Sequence, residues 1–362
     1  MGAKGKLGPW VQSTTTNWTH RLGLLDFRPV SWNVLITARA YSDVGEQAEA
    51  VLRQAGCRVI IPEKFGALKA AEVLPLLSGV DAVLASADQY TREVLSDPCA
   101  AALKIVSRWG VGYDSIDIEA ATQLGVVIGF TPGLLNEAVA DYTFALLLGV
   151  ARRVHEADAN LRRGDWTPLW GHDVAGKTLG IIGCGRIGQA VARRASGFDM
   201  RVLAYDVAPA PSQGGGEINF VPLDKLLAES DFITLNAAVT PQSRGLIGEQ
   251  QLRRMKPSAY LVNTARGLLL DEAALVRALK EGWIAGAALD TYILEPLAEN
   301  HAFRQTPNLL LSAHHASFGR ETGERVSLCA AQAIVDLMSG RRPQFVVNSE
   351  VFDTPSLRAS LH

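Results

Sequence analysis

Short apolar runs alternating with amphipathic stretches mark most of the chain. From Asn33 the pattern predicts a strand over 34–37, a helix over about 44–55 and a strand over 58–61. Further strands are expected over 82–85, 104–107 and 126–128, with helical segments between them. Apolar runs this short, separated by helices, belong to parallel strands covered on both faces. Thr131-Pro132-Gly133 then punctuates the chain, and one long helix is expected over about 136–163, ended by Gly164. Its residues Ala140, Thr143, Phe144, Leu147, Leu148 and Ala151 share one face, yet the run 146–150 is more apolar than one face requires. That surplus favours a second subunit, so a homodimer is expected, with a buried core helix as the alternative. Six more strands follow over 178–182, 201–205, 232–235, 259–263, 286–289 and 309–311, and a last helix over about 321–339. Residues 1–32 show no periodicity and read as an extension outside the fold, with Trp10 and Trp18 able to pin it to a neighbouring surface. The Gln-Gly-Gly-Gly run at 213–216 reads as a flexible loop.

The most informative stretch is where the 178–182 strand breaks into Gly183-Cys184-Gly185-Arg186-Ile187-Gly188 and then a helix. In such a turn the first glycine makes the bend and the second admits the backbone close to a pyrophosphate. The third lets helix pack on strand. The helix N-terminus supplies free N–H groups and the positive end of its dipole. Asp206 ends the next strand, where a carboxylate can accept from adenosine ribose hydroxyls and would repel a 2′-phosphate. The expected cofactor is therefore NAD.

Bulk properties narrow the classes. The 362 residues suit two domains, and a net charge of −2 gives no reason to expect nucleic acid or an anionic membrane as partner. No apolar run reaches spanning length and no hydrophobic signal core opens the chain, so a cytoplasmic location is expected. Cys57, Cys99, Cys184 and Cys329 have no C-x-x-C spacing, so neither a disulfide framework nor a metal site is expected. Cys184, although near a helix N-terminus, reads as a small buried filler.

In open parallel sheets the ligand lies beyond the carboxyl ends of the strands. Three such ends carry matched groups: Thr264-Ala265-Arg266-Gly267, then Asp290 with Glu295-Pro296, then Ser312-Ala313-His314-His315. Hydride delivered to a carbonyl carbon leaves negative charge on oxygen, which needs a proton donor. Histidine titrates near neutrality, and a neighbouring carboxylate supports its protonated form. Arginine forks onto a carboxylate while polarising a carbonyl.

These motifs, with Trp109-Gly110-Val111-Gly112-Tyr113-Asp114-Ser115-Ile116-Asp117 and Asn136-Glu137-Ala138-Val139-Ala140-Asp141, resemble the D-isomer-specific 2-hydroxyacid dehydrogenase family, nearest its phosphoglycerate dehydrogenase-like branch. The match spans residues 34–342. The resemblance implies an α/β protein of two Rossmann-like, doubly wound parallel-sheet domains. A cofactor domain, 131–313, is inserted into a discontinuous substrate domain, 33–130 plus 314–362. It implies NAD-dependent interconversion of a 2-oxo acid and a D-2-hydroxy acid. On this resemblance Arg266 is implied to bind and polarise the substrate, His314 to be the proton donor and acceptor, and Glu295 to pair with His314. Gly183, Gly185, Arg186, Ile187, Gly188, Asp206, Thr264, Ala265 and Asp290 are implied to hold the cofactor, Asp290 near the nicotinamide carboxamide. Ser86, Ala87, Val111 and Gly112 are implied to meet the substrate, the last two through backbone N–H groups.

The chain also departs from that pattern. Ala313 stands where the family usually has Pro, and His315 where an apolar residue is usual. The loop after the third strand reads Leu84-Ala85-Ser86-Ala87-Asp88-Gln89 and lacks the arginine that holds a substrate phosphate in the phosphoglycerate enzymes, which argues against phosphoglycerate. Arg108 reads as a loop-to-carbonyl donor or a supplementary positive charge. The competing function is an NAD(H)-sensing corepressor, since proteins of that type share the fold and keep the Arg, Glu and His.

Overall fold

The computed structural model describes residues 31–209 and 217–362; the N-terminal extension with Trp10 and Trp18, and the 213–216 loop, lie outside the described residues. Two parallel sheets form. The first holds β1 (Asn33–Ile36), β2 (Arg58–Ile60), β3 (Ala82–Ala85), β4 (Ile105–Arg108) and β5 (Val127–Gly129), in the order β2-β1-β3-β4-β5. The second holds β6 (Thr178–Ile182), β7 (Arg201–Tyr205), β8 (Ile218–Phe220), β9 (Phe232–Leu235), β10 (Tyr260–Asn263), β11 (Gly286–Leu289) and β12 (Leu309–Leu311). Its order is β12-β11-β10-β9-β6-β7-β8, the doubly wound pattern with its reversal between β6 and β9. In the first sheet the reversal falls between β1 and β3. The expected α/β class with two Rossmann-like sheets is what forms. β8 is an addition to the six strands read from the sequence. Its residues are exposed or half-buried, so it carries little of the apolar signal that marks the others.

Among the described residues six helices reach nine residues or more: α1 (Glu46–Gln54), α2 (Asn136–Ala151), α3 (Val154–Arg162), α4 (Arg186–Ala195), α5 (Glu272–Lys280) and α6 (Arg320–Met338). Because strand side chains alternate, Val34 and Ile36 face one layer and Leu35 the other. On the first face, Ala48 and Leu52 of α1 and Val326, Ala330, Ile334 and Leu337 of α6 close over the sheet. The C-terminal segment is stitched to the same sheet. Val347 N donates to Ile128 O at 2.8 Å, and Asn348 Oδ1 accepts from Ile128 N at 2.8 Å while its Nδ2 donates to Val126 O at 2.9 Å. Arg358 donates to the carbonyls of Leu95, Ala100, Leu103 and Leu124. The chain thus leaves the first sheet, builds the second, and returns. Trp32, placed in the extension on sequence grounds, is buried in the first core.

The single long helix expected over 136–163 is two. α2 ends at Ala151 and α3 begins at Val154, with Arg153 in the left-handed region at φ 53°. The carbonyl of Ala151, freed by the break, accepts from His172 N at 2.8 Å, so the returning strap caps the first helix. A Cβ on Gly171 would sit 2.9 Å from Arg152 Cα, which explains the glycine there. The surplus apolar residues of α2 are absorbed inside the chain: Leu146 and Val150 are buried with Leu179, Val262 and Ala288 of the second sheet and with Ala190 and Val191 of α4.

Asn348 gives the packing a direct test. It is fully buried, and truncation strands an N–H and a carbonyl of the β5 edge. Asn348→Ala is expected to cost about 2–4 kcal/mol of stability in chemical denaturation, while NADH affinity stays near that of the parent. A change within experimental error would show that the tail does not anchor this sheet.

Candidate active site

The glycine turn after β6 has the geometry its spacing foretells. Gly183 sits at φ +90°, and a Cβ there would run into the backbone of Asn236 and Ala237 at the end of β9. A Cβ on Gly188 would strike the Gly183 carbonyl, so this position lets α4 close on the turn. A Cβ on Gly185 would meet nothing within 4 Å, which leaves the middle of the turn open. Arg186 is exposed at the first turn of α4, and Ile187 is half-buried against both cores. Asp206 is half-buried; its Oδ2 accepts from Cys184 N at 2.7 Å and its Oδ1 from Ala208 N at 2.9 Å. The first of these bonds ties the acidic strand end to the glycine turn. Cys184 itself is buried, and burial together with Asp206 raises its thiol to about 11, so it is a filler. Open backbone, helix N-terminus and acidic strand end together fit a dinucleotide.

Opposite, the loop after β4 wraps around Arg108. Its guanidinium is buried and folds the loop onto itself, Nε donating to Gly112 O at 3.0 Å and Nη1 to Trp109 O. Burial, then the like charge of Arg266, lowers its pKa to about 10, so it stays positive at neutral pH. Among the described residues the N–H groups of Val111 and Gly112 donate to no partner. The Arg266 guanidinium lies directly on Gly112, where a Cβ would collide with it. Arg266 Nε donates to Asp114 Oδ1 at 3.1 Å and Oδ2 at 3.3 Å, and its Nη1 to Ala265 O at 2.8 Å. Arg266 from the second sheet and Asp114 from the first thus bridge the two units. Thr264 Oγ1 is turned away, 2.9 Å from Thr143 Oγ1 of α2.

The loop after β3 is held from inside. Asp88 is fully buried and accepts from Leu68 N at 2.9 Å, Ser86 N at 3.2 Å and the Thr37 hydroxyl. Burial raises its carboxyl to about 6 against those bonds and the charge of Arg108. Ala85 is buried, Ser86 and Ala87 are half-buried and Gln89 is exposed.

His314 stands at the end of β12 with its Nδ1 2.7 Å from Glu295 Oε2. Burial alone would raise the Glu295 carboxyl. The His314 hydrogen bond and charge, the Tyr292 N–H and the Arg266 charge outweigh it and hold the group below its ordinary value. His314 adopts φ +55°, a left-handed conformation that costs a non-glycine residue about 1–3 kcal/mol. Asp290 enforces it. That carboxylate is fully buried and accepts from Ser312 Oγ at 2.6 Å, His315 N at 2.8 Å and Ala316 N at 2.8 Å, while its carbonyl accepts from His314 N at 2.8 Å. The structure thus gives Asp290 a loop-holding place that its strand-end position did not announce. His315 is turned away from Glu295 and packs its ring 5.9 Å from Phe318.

Arg266, Glu295 and His314 are therefore brought to one edge with the glycine turn. Arg39 and Asp114 were given no role in the sequence reading. Asp114 lay inside a recognised motif, but its partner is 152 residues away. Arg39 follows β1, and the strand-end rule applied to the first sheet would have marked it.

Comparisons with known proteins give the family. Residues 144–316 match the model described as the D-isomer specific 2-hydroxyacid dehydrogenase, NAD binding domain. A glyoxylate reductase of Korarchaeum cryptofilum is 46% identical over 272 residues, 71% of this chain and 82% of the relative. One from Thermofilum pendens is 41% identical over 294 residues, 77% of this chain and 85% of the relative. Among solved structures, a protein from Thermus thermophilus superposes with a TM-score of 0.79 at 38% identity, covering 87% of this chain and 99% of that one. A glyoxylate reductase from Paecilomyes thermophila gives a TM-score of 0.75 at 31% identity, over 89% and 99%. On the two sheets, the glycine turn and these likenesses, the chain belongs to the D-isomer-specific 2-hydroxyacid dehydrogenase family and is an NAD-dependent oxidoreductase acting on 2-oxo and 2-hydroxy acids.

Proposed function

We propose that the chain reduces a short 2-oxo acid of the glyoxylate type to its 2-hydroxy acid, with D stereochemistry where the product is chiral. The pairing of His314 with Glu295 at 2.7 Å, on the same edge as Arg266, carries this reading. The relatives named glyoxylate reductase support the substrate class. The loop after β3 supports it too, since Ala85 and Asp88 are buried and offer no cation to a distal phosphate.

In this reading the substrate carboxylate is received by Arg266 and by the unpartnered N–H groups of Val111 and Gly112. Asp114 holds Nε and so aims the remaining N–H groups. Ser86 and Ala87 border the substrate's other end. Gly183, Gly185, Arg186, Ile187 and Gly188 receive the pyrophosphate, and Asp206 the adenosine ribose. Thr264, Ala265 and Asp290 lie at the nicotinamide end. Bound NADH supplies a hydride to the carbonyl carbon. The oxygen then takes the proton of the His314 imidazolium, leaving a neutral ring that Glu295 still orients. We place the cofactor unit at 131–313 and the substrate unit at 33–130 with 314–362, which closes on the cleft.

We further propose a homodimer built on the strap after α2. Trp166 is 85% exposed and Trp170 89%, with Val154 and Leu161 exposed beside them on α3. Large apolar side chains gathered on one projecting segment mark an association surface.

Steady-state kinetics on glyoxylate, hydroxypyruvate, pyruvate and bulkier 2-oxo acids, with NADH and with NADPH, test the main reading. The highest kcat/KM is expected for the smallest acids with NADH, and His314→Asn is expected to lower kcat about 10²–10⁴-fold with NADH affinity retained. Silence across the panel, or a fully active His314→Asn enzyme, rejects it. Glu295 adds a pH signature. Its carboxyl sits below its ordinary value, so it is charged wherever the imidazolium is needed. Reduction consumes the protonated ring and so declines as pH rises. Without the carboxylate the neutral ring gains, so Glu295→Gln is expected to move that decline to lower pH. An unmoved profile removes Glu295 from the mechanism. For the assembly, light scattering is expected to show a dimer that Trp166→Ser with Trp170→Ser shifts toward monomer; a monomeric parent enzyme refutes it.

A further inference from the structure

The His314 loop is held through its N–H groups by Asp290, as described, but its carbonyls need a separate partner. Arg39 supplies it. Its Nη2 donates to Ala313 O at 3.1 Å and to His314 O at 3.3 Å. Among the described residues no other donor reaches either oxygen. The guanidinium is fixed over the Phe318 ring, 4.8 Å from its centroid, and Phe318 packs in turn against Trp109 at 5.6 Å. Arg39 is exposed and has no carboxylate partner among the described residues, so its placement comes from the two carbonyls and the ring.

Three observations converge on a function for it. His314 is left-handed, and such a residue persists only where its surroundings over-determine it. The second sheet, through Asp290, fixes one side of that peptide run. Arg39 follows β1 of the other sheet, at that sheet's reversal between β1 and β3, and fixes the other side. We propose that Arg39 is a positioning residue for proton transfer, clamping the carbonyls of Ala313 and His314 so that the imidazole keeps its aim when the two sheets meet. The proposal rests on the reading of His314 as proton donor. It assigns Arg39 no contact with substrate: Nη2 is committed to peptide oxygens, and the guanidinium carbon lies over the Phe318 ring. Because clamp and histidine come from different sheets, the donor is fully ordered only in the arrangement that also brings Arg266 to the first sheet's loop.

Arg39→Gln, Arg39→Lys and Phe318→Leu test this, with kcat, KM for the 2-oxo acid, NADH affinity and amide exchange of residues 312–318 as readouts. Arg39→Gln is expected to lower kcat about tenfold or more, since small misplacements of a reacting group carry such penalties. KM is expected to stay within about twofold, NADH affinity to hold, and exchange of 312–318 to quicken. Arg39→Lys, which keeps one donor group, recovers part of kcat. Phe318→Leu moves kcat and exchange the same way by less, and it decides by the same criteria if Arg39→Gln does not fold. Unchanged kcat overturns the proposal, as does a raised KM at constant kcat, which would put Arg39 on the substrate. Those outcomes count against Arg39 only where His314→Asn abolishes turnover; an active His314→Asn enzyme instead brings down the reading of His314.

Discussion

One buried carboxylate governs this molecule's geometry. Asp290, at the end of β11, has no exposed surface, and an uncompensated charge there would cost several kcal/mol or more. Its oxygens are satisfied only if the chain after β12 bends so that Ser312, His315 and Ala316 all point their donors inward. That bend forces His314 into the left-handed region and sets its ring against Glu295. It also turns the chain away from the second sheet toward α6 and the first. The place of His314 and the crossover between units thus follow from the same set of hydrogen bonds.

Charge is handled differently on the facing side. Arg108 and Arg266 lie close enough to depress the Arg108 pKa, which gives that loop a standing positive field. Arg108 is spent internally on carbonyls and shapes the loop, whereas Arg266 is exposed enough to meet a ligand and is steadied by Asp114. Asp88, buried behind the neighbouring loop, moderates the same field and fixes Ser86 through its N–H. Of the two neighbouring cations, one is thus spent on structure and the other keeps N–H groups free of it.

Much of this was legible in the chain. The strands of the second sheet lie where alternation of apolar runs and helices put them, because strands buried on both faces must be apolar throughout. The glycine turn was readable since each of its three glycines answers a steric demand made within a few residues. Arg266, Glu295 and His314 could be picked out because parallel sheets deliver ligands to strand ends. β8 was missed because an exposed edge strand needs no apolar run. The break at Arg153 was missed because the Ala151 carbonyl is capped by His172, about twenty residues later in the chain.

The sequence by itself determined the fold class, the glycine turn and which polar groups leave the strand ends, since each is set by periodicity or by spacing along a single strand, turn and helix. Tertiary structure alone decided which groups are spent on architecture and which face the cleft. Arg39, Arg108, Asp88 and Asp290 are all polar residues at or near strand ends, and nothing in their local sequence sorts them. Their roles are fixed by partners from segments distant in sequence or by burial that only packing creates, and both depend on how the two sheets meet.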